Sequence, residues 1–383
     1  MSSAVAVISK DEIALSGNYF ADLNTAREAG LVEGSNPSKK ALEAIVNRHN
    51  SAIASGQESQ SLEAHVESNQ QARGNTEKLD KELYNGVGTF VQPEWGTDKI
   101  LSEAGLDWEV VERDVIYDDG NGGKIRTDDY KVLCRENDPS FVFDVVRKGW
   151  HPYQNAHIVG SFVEFCRDTD LELERVGALD SDRLVFAVAR MNDSFELPDE
   201  DIVDGRIILT NSHSKGRGQR ISLMTRRLVC TNGMTVPVTI GRKVITHLKE
   251  FDRKATLNAL NAARSNFRTI ETESRALAQR ALTKEEAHVA LINILGDINK
   301  SVDEQPKAVQ ECLELYHGKG IGSDRLSAYN TAWGVVNSVT EYQNHRVMKP
   351  FGAQAHMNSL WFGGKAQKQL NAYRQMVGVS VAA

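Results

Sequence analysis

Apolar and polar residues alternate in short runs through the middle of the chain, a pattern typical of half-buried β-strands. Residues 110–117 and 124–134 lie on either side of the turn segment 118–123, which predicts a hairpin with a long loop. The same alternation predicts further strands at 141–146, 171–179, 184–191, 206–212 and 220–229, the last two forming a second hairpin.

Helical spacing appears once within this β-rich region and then dominates the last third of the chain. Asn155 is placed to cap a helix that runs to about Arg167, because apolar residues recur there at helical spacing. Beyond Gly241 helices are predicted at 244–278, 284–299, 306–316, 327–345 and 366–376. Runs of strands followed by runs of helices predict an α+β fold, not alternating βαβ units.

The first part of the chain differs in amino-acid composition from the rest. It is rich in Ser, Gln, Asn, Glu and Lys, above all at 48–82, and therefore can bury little apolar surface. Residues 41–49 have the spacing of a short docking helix. We therefore predict a weakly helical or disordered arm at 1–83, an α+β core domain at 84–243 and a helical region at 244–383.

Composition places the chain among ordinary globular proteins. Of its 383 residues, 40% are hydrophobic and 25% are charged, unlike disordered or membrane proteins. No segment approaches the length of apolar chain that a membrane span requires, and the start of the sequence has no basic region preceding a long apolar run. A cytoplasmic protein without membrane contact is therefore expected.

The cysteines and histidines give little support for a metal site or a catalytic site. Glu341 and His345 stand four apart and could share a metal, but zinc needs further ligands, so a polar stripe against a neighbouring element is the simpler interpretation. Four cysteines occur singly and without Cys-x-x-Cys spacing, which favours buried reduced thiols: Cys134, Cys166, Cys230 and Cys312. We expect no cofactor.

Charge is unevenly distributed along this acidic chain. The formal net charge is −7, which by itself disfavours nucleic acid as a partner. Residues 205–249, however, contain no Asp or Glu, although nine Lys and Arg residues fall in that range. A local basic surface is therefore predicted on an acidic protein.

The most basic part of this range is the loop of the second hairpin. Lys215, Arg217 and Arg220 surround Gly216 and Gly218, which would let a sugar-phosphate strand approach the backbone closely. Strand alternation puts Arg220, Ser222, Met224 and Arg226 on one face, so a mostly polar face is predicted to run back from the loop, with Arg227 beside it. The alternative is a solvated hairpin tip.

Two neighbouring motifs could add to such a surface. Asn211 and His213 end a strand beside the basic loop, where they could contact phosphate, or else form an ordinary turn. Trp150 and Tyr153 are aromatics of the kind that stack on bases, although Pro152 also suits a loop that packs and leads into the helix. The candidate nucleic-acid-binding residues are Lys215, Arg217, Arg220, Arg226, Arg227, His213, Asn211, Trp150 and Tyr153.

Several of these motifs also carry a family resemblance. Four motifs resemble, in their order along the chain, those of the phage/plasmid-like protein family of unknown function: residues 150–155, 207–213 (Ile-Ile-Leu-Thr-Asn-Ser-His), 227–234 (Arg-Leu-Val-Cys-Thr-Asn-Gly-Met) and 331–345. The resemblance covers roughly residues 84–346 and implies an origin in mobile elements, without an active site to carry over. Relatives commonly have Asp-Gly-Ser after His213, whereas here Ser214, Lys215 and Gly216 follow.

Three classes of function remain open at this point. The leading expectation is a non-enzymatic nucleic-acid-binding protein, with single-stranded DNA as its partner, acting in recombination or replication of a mobile element. The second is an interaction protein that blocks a host defence through protein contacts. A hydrolase using His213 or His151 is the third, but no nucleophile and base stand at a diagnostic spacing.

Self-association is also expected from the last part of the chain. The late helices carry apolar stripes, and Trp361 and Phe362 are predicted to be exposed near the end. A homo-oligomer would cover such residues.

Overall fold

The computed structural model describes residues 83–215, 218–230, 232–237, 253–347 and 351–381. Within them, two antiparallel sheets are followed by a helical C-terminal region, so the predicted α+β fold is confirmed. The predicted arm up to residue 82, Arg217 and the first part of the helix predicted at 244–278 lie outside the described residues.

The strands follow the alternation of the sequence closely. Both predicted hairpins are present, and the predicted strand positions 207–209 and 221–223 lie in paired strands. The strands are β1 (Thr89–Phe90), β2 (Val110–Asp118), β3 (Lys124–Arg135), β4 (Val142–Arg147), β5 (Glu172–Leu179), β6 (Leu184–Leu197), β7 (Asp201–Ser212), β8 (Arg220–Arg227) and β9 (Asn232–Pro237).

The helices are also largely where the spacing predicts them. The helix expected at Asn155 begins there, but Gln154 and not Asn155 occupies the N-cap position. Two short helices, α1 and α7, were not predicted. The helices are α1 (Thr97–Glu103), α2 (Asn155–Asp168), α3 (Arg253–Gln279), α4 (Lys284–Leu295), α5 (Lys307–Glu314), α6 (Ala332–Glu341), α7 (Gly352–Phe362) and α8 (Gly364–Val381).

The larger sheet has the strand order β1-β5-β6-β7-β8-β9. Its central strands pair with their sequence neighbours through tight turns, as at Asp180, Ser181 and Asp182, where φ is 56°, 50° and 63°. Aspartate and serine tolerate this left-handed turn because their short polar side chains can hydrogen-bond to nearby backbone. The result is a meander in which β7 runs buried between β6 and β8.

Both faces of this sheet are covered. One face carries Ile207, Leu209 and Leu223 and packs in the main apolar core with residues of α2, α3 and α6. The other carries Ile208 and Met224 and packs with residues 83–87 and with α7. A six-stranded sheet between two cores leaves its central strands almost no exposed side chains.

Trp361 of α7 belongs to the second core and is buried. Its ring lies edge-on to Phe186 and Tyr84, with centroid separations of 5.0 and 6.1 Å, and its exposed fraction is 4%. The prediction that Trp361 is exposed is therefore wrong, because α7 turns this face toward the sheet. Phe362 is half-buried.

The smaller sheet has the order β2-β3-β4 and packs one face on the main core through Leu133, Phe143 and Val146. Beyond the part of β3 that pairs with β4, residues 115–118 and 124–127 continue as a two-stranded arm. A register shift between Asp114 and Val115 separates the arm from the sheet. The hairpin predicted at 110–134 is confirmed, and it extends away from the core.

Candidate nucleic-acid interface

A cleft of about 280 Å³ opens where the β7–β8 hairpin meets helix α7. The hairpin contributes Thr210 and Arg220, which stand directly opposite each other in the two strands. The complete lining consists of Leu184, Thr210, Gly218, Arg220, Ala355, Asn358, Ser359, Phe362 and Gly363. The cleft therefore combines a cation, two hydroxyls, an amide and an aromatic ring.

Arg220 is the cationic residue of this cleft. It begins β8, is exposed, and has neither an ionic nor a hydrogen-bonding partner among the residues that the structure describes. A guanidinium group without such partners can donate its N–H groups to a ligand. Arg220 is thus positioned as the sequence predicted, at a surface and next to a glycine-containing loop.

Lys215 lies at the same end of the hairpin but is anchored to the small sheet. Its backbone N–H donates to Asp144 Oδ2 at 2.8 Å, and its ammonium donates to the carbonyl of Val145 at 3.2 Å. The ammonium also lies 3.6 Å from Asp144 Oδ1, although 69% of the side chain stays exposed. The expectation of a loop without a nearby acid is wrong, because the fold brings Asp144 to it.

Arg226 and Arg227 are in the interior of the protein. Arg226 Nη2 lies 3.0 Å from Asp204 Oδ2, and Arg227 Nε lies 2.6 Å from Asp201 Oδ1. Ser222 and Met224 are buried as well. The predicted polar face running back from the loop is therefore wrong, because α7 and residues 83–87 cover it.

Arg226 and Asp204 belong to a buried network that also includes Arg206, whereas the Arg227–Asp201 pair is separate. Arg206 donates to Glu174 Oε2 at 2.6 Å and to Asp204. Burial tends to lower the pKa of Arg206, but the carboxylates of Asp204 and Glu174 outweigh it and raise this pKa well above its ordinary value. The network links side chains of β5, β7 and β8 within the interior.

Asn211 and His213 are fully buried and lie on the opposite side of the sheet from the cleft. Asn155 Nδ2 donates to the carbonyl of Leu106 at 3.1 Å, so its Oδ1 is the acceptor for His213 Nε2 at 2.9 Å. The His213 ring also contacts Trp108, at a centroid distance of 5.4 Å. These contacts join β7, α2 and the segment before β2.

The two predicted aromatics pack against the main core. Trp150 is half-buried, and Tyr153 has an exposed fraction of 9% and stacks on His157 with centroids 6.1 Å apart. Of the predicted residues, the structure thus brings Lys215 and Arg220 to the exposed end of the hairpin. Arg226, Arg227, Asn211, His213 and Tyr153 are buried.

Sequence reasoning missed the half of the cleft that helix α7 supplies. Asn358, Ser359 and Phe362 lie about 140 residues beyond the hairpin in the chain, and none of them forms a motif with it. The available signal was the polar pair next to an apolar run at 358–362. That pattern predicts a packed helix but not which surface it faces.

The residues considered above for metal and thiol chemistry pack against neighbouring parts of the protein. His345 Nε2 lies 3.2 Å from the Cys230 carbonyl, and Glu341 Oε2 accepts from the Ile321 N–H, so the predicted polar stripe contacts neighbouring elements. The part of the chain that the structure describes contains no cluster of three or more His, Cys, Asp or Glu suited to a metal ion. Burial raises the pKa of the Cys230 thiol to about 11.

No helix in the described ranges combines the length and the apolar character needed to cross a bilayer.

Neither the comparison with curated proteins nor the comparison with solved structures found a match. A family model described as a domain of unknown function, DUF932, matches residues 142–372, which is more than half of the chain and spans β4 to α8. The chain therefore belongs to the DUF932 family.

Proposed function

We propose that this protein binds nucleic acid without acting on it, and that its ligand is a single strand of DNA in the replication or recombination of a phage or other mobile element. The observation that supports this most directly is Arg220, an exposed cation that has no side-chain partner among the described residues and lies in a cleft that also holds an aromatic ring. The mobile-element setting rests on the family resemblance of residues 207–213 and 227–234.

The cleft offers the contacts that an unpaired nucleotide needs. Arg220 would pair with a phosphate, and Phe362 would pack against a base. Thr210, Asn358 and Ser359 provide hydroxyl and amide groups for base edges or sugars. A cleft of about 280 Å³ suits one splayed nucleotide, whereas a duplex needs a broad basic face for its many phosphates.

A filter-binding titration of a single-stranded oligonucleotide at several salt concentrations tests the proposal. Changing Lys215, Arg217 and Arg220 together to Ala should weaken binding and flatten the slope of log affinity against log salt by about two units, since each lost single-strand phosphate contact removes about 0.7. The matched control changes three exposed lysines outside the cleft, Lys99, Lys307 and Lys319, to Ala.

The control variant should bind with nearly the parent affinity because it alters charge equally but leaves the cleft intact. Thermal midpoints of both variants should remain close to the parent, as exposed charges contribute within about half a kcal/mol. An absence of affinity for single-stranded DNA at low salt would overturn the proposed function. If the hairpin variant keeps the salt slope of the parent, the cleft is not the nucleic-acid-binding site.

A second candidate function is an interaction protein that blocks a host defence through protein contacts. It is favoured by a mainly apolar groove of about 380 Å³ between α4 and α8, in which Val289 is 59% exposed. A pull-down from host lysate with the parent and with Val289→Asp tests it. One host protein retained by the parent and lost from the variant would support this function, and retention of nucleic acid alone would count against it.

A further inference from the structure

The small sheet leaves one face uncovered. Lys131 and Val146, opposite each other in β3 and β4, are buried on the core side. Their neighbours Val132 and Val145 therefore face outward, and Val145 is 39% exposed. Tyr130, two residues before Val132, lies on the same outer face and is 45% exposed. The exposed part of this face ends before Cys134, which follows in the same alternation and is buried.

At its paired positions the outer face carries cations and aromatics but no acid. Arg147 stands opposite Tyr130, and Arg113 stands opposite Val132. Tyr117, four residues along β2 from Arg113, extends this face onto the arm, where it stands opposite Ile125 and is 52% exposed. No Asp or Glu occupies an outward-facing position in these paired stretches. The positive charge of this face contrasts with the net charge of −7 of the whole chain.

The cations of the outer face differ from three others in the same sheet. On the core side or at its margins, Arg126 pairs with Asp114, Lys131 with Glu112 and Arg135 with Asp182. Arg113 and Arg147, in contrast, form no ion pair with any described residue. Arg113 and Arg147 are therefore available for an external anion.

We propose that the outer face of β2, β3 and β4 is a platform for single-stranded nucleic acid, on which unpaired bases stack on Tyr117 and Tyr130 while Arg113 and Arg147 contact phosphates. Sheets that bind single strands use this combination of exposed aromatics and cations. The inference rests on the proposed function and extends it to a second contact surface.

The platform and the cleft are joined at the edge of the small sheet. The ammonium of Lys215 donates to the Val145 carbonyl on β4, and Lys148, which follows Arg147, is exposed. A strand leaving Arg220 would therefore pass Lys215 before it reaches Arg147 and Tyr130. This path gives a longer footprint than the one nucleotide that the cleft itself can hold.

The test compares four variants of the full chain with the parent, using a fluorescently labelled oligothymidine. Tyr117→Ala with Tyr130→Ala should lose about tenfold in affinity or more, whereas Tyr117→Phe with Tyr130→Phe should keep it, because stacking needs only the ring. Arg113→Gln with Arg147→Gln should flatten the salt slope by about 1.4 units. The control, Ile116→Ala with Arg126→Gln, alters the other face of the arm and should bind like the parent.

Photocrosslinking supplies a readout that a loss of folding would not mimic. An oligonucleotide containing 5-iodouracil should crosslink to Tyr117 or Tyr130 of the parent, as identified by mass spectrometry of the digested complex. Crosslinks confined to other residues, together with parent-like binding of the tyrosine and arginine variants, would overturn the platform. A change in oligomeric state of these variants without a change in binding would also overturn it and show a contact between copies.

The outcomes separate this inference from the proposed cleft. If the Lys215, Arg217 and Arg220 variant loses affinity and the platform variants do not, the platform is wrong and the cleft remains. If the platform variants lose affinity and the hairpin variant does not, the platform stands and the cleft is wrong. If the parent binds no single strand at low salt, both are overturned.

Discussion

Asp204 stands directly opposite Arg226 across strands β7 and β8, and their side chains form a buried ion pair with a 3.0 Å separation between Oδ2 and Nη2. Asp204 also accepts from Arg206, two residues along its own strand. One carboxylate thus serves two guanidinium groups in the interior. The acid-free, basic stretch that begins at residue 205 is neutralised in part by acids that immediately precede it.

Replacing Asp204 with Ala should be strongly destabilising. The change leaves Arg206 and Arg226 buried with less opposing charge, and breaking a buried pair in this way costs about 3–5 kcal/mol. Urea unfolding followed by circular dichroism measures the loss. As a control, Glu103→Ala breaks the exposed pair with Lys99 and should cost no more than ~0.5 kcal/mol. Equal losses in the two variants would contradict a structural role for the network.

Asn155 should be needed to hold the small sheet to the large one. Asn155→Ala removes the acceptor for His213 and the donor for the Leu106 carbonyl, leaving buried polar groups unsatisfied at a cost of about 1–3 kcal/mol. The exposed amide of Asn192, which donates to Asp170, offers a matched control that should cost less as Asn192→Ala. The measurement is the unfolding free energy of each variant. Equal losses in the two variants would argue against Asn155 as a link between the two sheets.

Glu341 gives a pH-dependent prediction. Burial raises the pKa of its carboxyl, although the Ile321 N–H and Arg346 oppose this shift. Because the folded state disfavours the charged form, ionisation of Glu341 lowers stability as pH rises from its ordinary pKa to the raised one. Glu341→Gln should therefore melt at a higher temperature than the parent at pH 8. Thermal scans should show the gap closing at acidic pH, and a gap that widens there would contradict this explanation.

The cysteines should react slowly in the folded protein. All four are buried, and burial raises the pKa of Cys166 to about 12, so the thiolate that attacks a disulfide reagent is scarce. Ellman's reagent should therefore modify the native protein far more slowly than protein unfolded in guanidinium chloride. A rapidly labelled cysteine in the native protein would show that at least one thiol is accessible, contrary to the structure.

The order of strands and helices could be read from the sequence because alternation and helical spacing are local properties. The hairpins at 110–134 and 206–229, the helix starting at Asn155 and the helical C-terminal region all follow from such patterns. β9 was missed because it holds Gly233 and ends at Pro237, and it becomes a strand only by pairing with β8. Helix α7 was missed because its flanking glycines interrupt the helical spacing.

The candidate site depended on the tertiary structure. Alternation puts Arg220 and Arg226 on the same side of β8, and nothing local distinguishes the exposed residue from the buried one. The difference arises because helix α7 and residues 83–87 cover the middle of the strand but leave an open cleft at its first residue, and because Asp204 meets Arg226 in the neighbouring strand. By itself the sequence determined which residues carry charge and which segments are strands. Which charges reach solvent was decided by packing, since burial depends on elements far apart in the chain.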